Sequence, residues 1–328
     1  MTTVETDISQ RCVMSLVLQN LTLIKLSAAE WVRHSLVWKC FDPLRNWRQH
    51  SLLMQWGTAL SVCLLTVLFA IAPFVGTATV YIGLIEVGCA GLWLLLTLSD
   101  DAPQPSKISP VHGLLALYWV SAALSTALSP VKKEALSGLA ELSLYLIVFA
   151  LIERTVRLKR WRDWLIAVYL VAAFLVSLYG LRQCIFGEKP LATWLDPESS
   201  LANVTRAFSY LGNPNLLAAY LLPAVPLSLA ATFLWKSWGT RVLASVMFVA
   251  NTLCLILTLC RGAWIGLVVS LALMGILCLY WFLPRLPAFW RVWSFPVLLG
   301  GGTAVLVIAI VFIPPLKERV LSIFLSRG

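Results

Sequence analysis

Three arginines stand out by where they fall in an otherwise apolar chain. Arg182 closes one long apolar run, Arg206 stands just ahead of another, and Arg261 is the single charge between Val242 and Leu283. A guanidinium at or beside a hydrocarbon segment is costly unless it meets an anion, a carboxylate or water. Its planar fork pairs bidentately with phosphate or carboxylate oxygens and keeps its charge at any physiological pH. Together the three suggest an anion site. The competing structural reading is an arginine that only snorkels, its stem in lipid and its head among the headgroups. That reading suits Arg182 best and Arg261 least, with Arg206 evenly balanced.

Beside Arg206 the chain runs Gly212-Asn213-Pro214-Asn215. Asn213 is a good N-cap, Pro214 fits the first helical position, and the unpaired N–H groups at a helix start favour an anion, so Asn213 and Asn215 join the candidate site. An ordinary loop-to-helix cap has the same appearance. Glu86 is the one acid near the middle of an apolar run. An intramembrane acid points to proton coupling or to an arginine partner, against a structural Glu facing the bundle beside Gly83 and Gly88. Glu141 reads as a helix-end residue, and Glu188, Asp196 and Glu198 as solvated loop acids that can in principle act as bases.

Nothing in the sequence calls for a metal or cofactor. The eight cysteines form no CxxC pair and no Cys-His ligand spacing, and most lie inside apolar runs, where a free thiol packs as a small hydrophobe.

The elements that must position these groups are membrane spans. The chain is 60% hydrophobic and 12% charged, with a mean hydropathy of +0.86, which excludes a soluble globular domain. The fold class is all-α, a polytopic bundle of about nine spans at roughly 20 residues each, in the inner (plasma) membrane. The spans are expected at 56–74, 79–98, 111–128, 136–152, 164–185, within 208–235, and at 242–259, 263–283 and 294–313. Residues 1–55 read as a cytoplasmic, interfacial arm, 56–313 as the bundle, and 314–328 as the start of an outer loop. Many of the fifteen Trp flank charged loops, as headgroup anchors do.

The net charge of +10 does not signal nucleic acid, because the basic residues fall in short clusters between apolar runs rather than on one face. Their bias toward alternate loops places the N-terminus in the cytoplasm, with Lys132 and Lys133 against the trend. The three arginines then share the outer side, while His34, His50 and His112 fall at the inner side, away from them.

Residues 206–220, RAFSYLGNPNLLAAY, and 260–266, CRGAWIG, resemble the Arg, Gly-Asn-Pro-Asn segment and the Ser-Arg-Gly-Ala turn of the O-antigen ligase and polymerase family, typified by WaaL and Wzy. Cys260 stands where that family commonly has Ser. The stretch SPVKKEALSGLAELSLYLIVFALIER also resembles the family's early spans, and the general run is similar to its cyanobacterial inorganic-carbon branch, IctB. The resemblance implies a helical bundle opening to the periplasm, in which arginines at the positions of Arg206 and Arg261 hold an anion. For the branch that anion is bicarbonate, in transport or accumulation. For the wider family it is the diphosphate of a polyprenyl-linked glycan donor, in a ligase or polymerase reaction. The family's catalytic histidine belongs to a large periplasmic loop, and Ser326-Arg327-Gly328 falls where that loop starts, so the resemblance implies the front part of a longer protein. A non-catalytic membrane scaffold is the third reading.

Overall fold

The computed structural model describes residues 41–76, 79–100, 109–188 and 205–285, with 287, 289, 291, 293–297 and 300–302 beyond them. These residues contain helices and no strand. In chain order the helices are α1 (Asp42–His50), α2 (Leu52–Gln55), α3 (Gly57–Ile71), α4 (Thr79–Leu98), α5 (Pro110–Leu128), α6 (Lys132–Val156), α7 (Lys159–Phe186), α8 (Pro214–Leu234), α9 (Trp238–Leu257) and α10 (Arg261–Phe282). Eight of them, α3 with its 3-10 extension to Phe74 and α4 to α10, are long and apolar enough to cross a membrane. The protein is a multi-pass helical membrane protein. Of the ninth expected span, 294–297 and 300–302 are helical, and 303–313 lie outside the described residues. Residues 1–40 of the expected arm and the expected outer loop at 314–328 lie outside them as well.

The chain divides into two compact units, Met1–Leu68 with Val80–Leu165, and Phe69–Thr79 with Ile166–Gly328. In the first unit one end is tied by charge. Asp100, just past α4, accepts from Arg154 near the end of α6 at 2.7 Å and from Arg48 of α1. At the same end of α6, Glu153 accepts from His112 Nε2 at 3.1 Å. His112 is set by the start of its own helix, since its Nδ1 accepts from the Ser109 backbone N–H at 3.2 Å, which leaves Nε2 as the protonated nitrogen. Pro110 at the first position of α5 completes this helix start. At the start of α3, a Cβ on Gly57 would lie 2.5 Å from Leu96 Cδ2, so glycine allows α3 to lie closely against α4.

In the second unit α8 is the central helix. It buries Leu217, Ala218, Leu221, Ala224, Val225 and Ser228 against Leu170, Ala173 and Val176 of α7 and Ala244, Met247 and Leu255 of α9. Alternating small and large side chains let the backbones approach, which is how helices pack where lipid removes the hydrophobic drive between them. Pro223 and Pro226 lie inside α8, yet the helix is continuous through both. By contrast α5 buries none of its residues and α10 only Ala263 and Leu267. Their wide apolar surfaces suit hydrocarbon rather than water.

Two expectations are corrected. α6 begins at Lys132 and α7 at Lys159, earlier than the apolar runs suggested, because backbone hydrogen bonding continues through charged ends whose long side chains reach the interface. With α6 starting there, Glu141 sits well inside the helix rather than at its end, and its carboxylate accepts from Tyr145 one turn on.

Candidate anion site

All three candidate arginines belong to the second unit, at the end where α7 and α9 finish and α8 and α10 begin. Residues 207–209, just ahead of α8, are pinned to that end. Ala207 N–H donates to the Leu257 carbonyl at 3.0 Å, and Gln183 of α7, fully buried, accepts from the Ser209 N–H at 2.7 Å through Oε1. Ser209 Oγ in turn donates to the Val176 carbonyl at 2.7 Å. These bonds hold Ser209 at φ 49°, and Leu259, which turns α9 into α10, is held at φ 52°. Left-handed backbone at non-glycine residues costs about 1–3 kcal/mol and persists only where surroundings enforce it.

Arg206 is the hub. It is only 7% exposed, its Nε donates to the Thr258 carbonyl at 2.8 Å, and one Nη donates to Asn215 Oδ1 at 3.2 Å. One guanidinium therefore joins the end of α9 to the start of α8. The sequence balanced a headgroup arginine against an anion-binding one; the structure shows a third role, an internal clamp.

Asn213 is the N-cap of α8, its Oδ1 accepting from the Asn215 N–H at 2.8 Å, with Pro214 at the first helical position. The cap expected from Gly-Asn-Pro-Asn is present, and Gly212 at φ 70° supplies the turn that only glycine adopts without strain. Arg261 is the first residue of α10, exposed, and three residues beyond the carbonyl that Arg206 grips. Thr258 Oγ accepts from the Cys260 N–H at 3.3 Å, and no side chain caps α10.

Arg182 lies at the rim. Its Nη1 pairs with Glu188 at 3.2 Å and its guanidinium sits 5.7 Å from the Tyr179 ring and 5.6 Å from that of Phe186. Tyr179 stacks on Tyr210 with centroids 4.3 Å apart, and Phe74 meets Tyr210 edge-on at 5.1 Å. An exposed ion pair of this kind contributes little and opens readily.

Glu86 is in the other unit, on α4, where it is buried and stands apart from the three arginines in the chain's division into units. Asp196 and Glu198 lie outside the described residues. Among those described, no group of His, Cys, Asp and Glu can hold a metal, and six cysteines are free, Cys89 and Cys254 fully buried. The residues that sequence reasoning missed are Gln183, Ser209 and Thr258. A buried Gln one position after Arg182 is a polar residue in an apolar run, and that was the only available signal.

No protein-family model, curated protein or solved structure matches the chain.

Proposed function

We propose that this chain is an inner-membrane protein of the O-antigen ligase-like type that handles an oxygen-rich anion at the periplasmic end of its second unit. The reading is supported by one observation above all: Arg206 clamps the end of α9 to the start of α8, which brings the starts of α8 and α10 and the exposed Arg261 to one end. Two helix starts and a guanidinium are suited to several oxygens at once. Arg261 is the residue expected to touch the ligand, Arg182 to join from the rim when Glu188 releases it, and Asn213 and Asn215 to set the start of α8.

The diphosphate of a polyprenyl-linked glycan donor is the ligand this arrangement favours, because it offers more oxygens than a monoanion. The continuity of the eight spans is in keeping with a headgroup site, since carriers commonly build midplane sites from broken helices. Transport or accumulation of bicarbonate is the second reading, which follows from the resemblance of the chain's general run to the inorganic-carbon branch.

Arg261→Ala in the reconstituted chain tests the proposal. Loss of charge-assisted hydrogen bonds of about 1.5–3 kcal/mol predicts roughly 10- to 100-fold weaker binding of a polyprenyl diphosphate. Unchanged binding overturns the donor reading, and saturable uptake of labelled bicarbonate by wild-type liposomes supports the transport reading. A scaffold shows neither activity.

A further inference from the structure

The end of the first unit at which α4 and α6 finish carries a surplus of positive charge. Asp100, 14% exposed at its side chain, accepts from Arg48 of α1 through Oδ1 and from Arg154 of α6 through Oδ2, the latter at 2.7 Å. Two guanidiniums therefore share one negative charge. A guanidinium presents donors at Nε and at both Nη atoms. Arg154 uses only Nη1, and Arg48 likewise only Nη1, on Asp100, on Ser99 Oγ at 3.4 Å and on the Leu96 carbonyl at 3.5 Å. Among the described residues nothing accepts from Nε or Nη2 of either, and both side chains are partly open, at 29% and 28% exposure. Glu153, next to Arg154 in the chain, does not supply the missing charge, since its oxygens go to His112 at 3.1 Å and Arg157 at 3.3 Å.

This cluster lies at headgroup depth. The span α4 stops at Leu98, α6 stops at Val156 and α7 starts at Lys159, so the charges sit where three apolar segments leave the hydrocarbon. Trp47 beside Arg48, Leu158 between α6 and α7, and Trp164 are exposed there, and so are Lys159 and Arg160. A phosphodiester brings one negative charge, which matches the one left over, and two free oxygens for two guanidiniums. Acyl chains attached to it can cover the exposed apolar side chains, which a free phosphate cannot do. A headgroup with a cation of its own is disfavoured by Lys159 and Arg160 alongside. We propose that Arg48 and Arg154 hold the phosphodiester of an anionic phospholipid of the phosphatidylglycerol class, with Asp100 as the positioning residue that fixes both guanidiniums. The site is independent of the anion reading of the second unit, and its failure would leave that reading intact.

The test uses the full chain in nanodiscs of mixed phosphatidylglycerol and phosphatidylcholine, with the lipid that stays on the protein identified by native mass spectrometry. Wild type is expected to retain phosphatidylglycerol in preference to phosphatidylcholine. R48Q removes a guanidinium from outside the spans and leaves the Asp100–Arg154 pair in place. It should lower the preference about fivefold, as loss of one cation near a lipid surface does. R48K keeps a charge on Asp100 without the planar fork, so it should lower the preference by less, and it decides the matter if R48Q does not fold. K132Q/K133Q removes two charges at the opposite end of α6 and should have no such effect. Wild type without a preference overturns the proposal, as does a preference that both Arg48 variants leave intact or that K132Q/K133Q lowers as much as R48Q. Millimolar inorganic phosphate should leave the retained lipid in place; displacement would assign the site to free phosphate and overturn the lipid assignment.

Discussion

Replacing Arg206 with Ala separates a clamp from a ligand-binding arginine. Among the described residues, the wild-type side chain donates from a buried cation to the Thr258 carbonyl and to Asn215 Oδ1. Hydrogen bonds to charged groups contribute about 1.5–3 kcal/mol each, so losing both costs at least about 3 kcal/mol. Spread over a bundle of this size that is a fall in Tm of about 6–12 °C, at about 2–4 °C per kcal/mol. The fifteen Trp make intrinsic fluorescence during heating in detergent a direct readout. R206K keeps the charge but not the planar fork, and Asn215→Ala removes only the longer bond; both should fall between Ala and wild type. Because the guanidinium stays charged, the difference between R206A and wild type should be the same from pH 5 to pH 9. A Tm for R206A within about 1 °C of wild type would refute the reasoning, all the more if polyprenyl-diphosphate binding were lost at the same time.

Gly180→Ala would bring a Cβ to 2.7 Å from the buried Cys254 Sγ, and overpacking of this kind costs about 1–3 kcal/mol. Adding Cys254→Ala should restore most of the Tm, and a double variant no better than G180A counts against the contact. Asp100→Asn should destabilise the first unit by about 1–3 kcal/mol, less than a fully buried pair because Arg48 and Arg154 are partly exposed. Its loss should be non-additive with Arg154→Gln in thermal melts, and additive effects would dismiss the bridge. Arg182→Ala should leave Tm within about 1 °C, as expected of an exposed pair; a larger fall would give that residue a structural role.

The spans were legible because the bilayer demands long apolar runs, and 79–98 and 111–128 match α4 and α5 to within a residue. The ends were less so, as α6 and α7 show, because charged residues at the interface do not stop a helix. The cap at Asn213 could be read from local spacing, since a cap is made within a few residues of its helix. Arg206 could not be read that way. Its partner Thr258 is 52 residues along the chain, and no pattern within a run announces a bond between a loop and the end of another helix.

The clamp at Thr258 also decides the electric field at its end of the unit. Each helix start carries roughly half a positive charge and each helix end roughly half a negative one. Had Arg206 pointed outward, the negative pole at the end of α9 would stand unmasked at the same end as the positive poles of α8 and α10 and cancel much of their reach. By resting on that carbonyl, the guanidinium masks one of the two helix ends, those of α7 and α9, that oppose these starts. With the end of α9 masked, two helix starts face one unmasked helix end before Arg261 is counted. On the proposed reading, an arriving anion is drawn by the whole arrangement rather than by any one side chain.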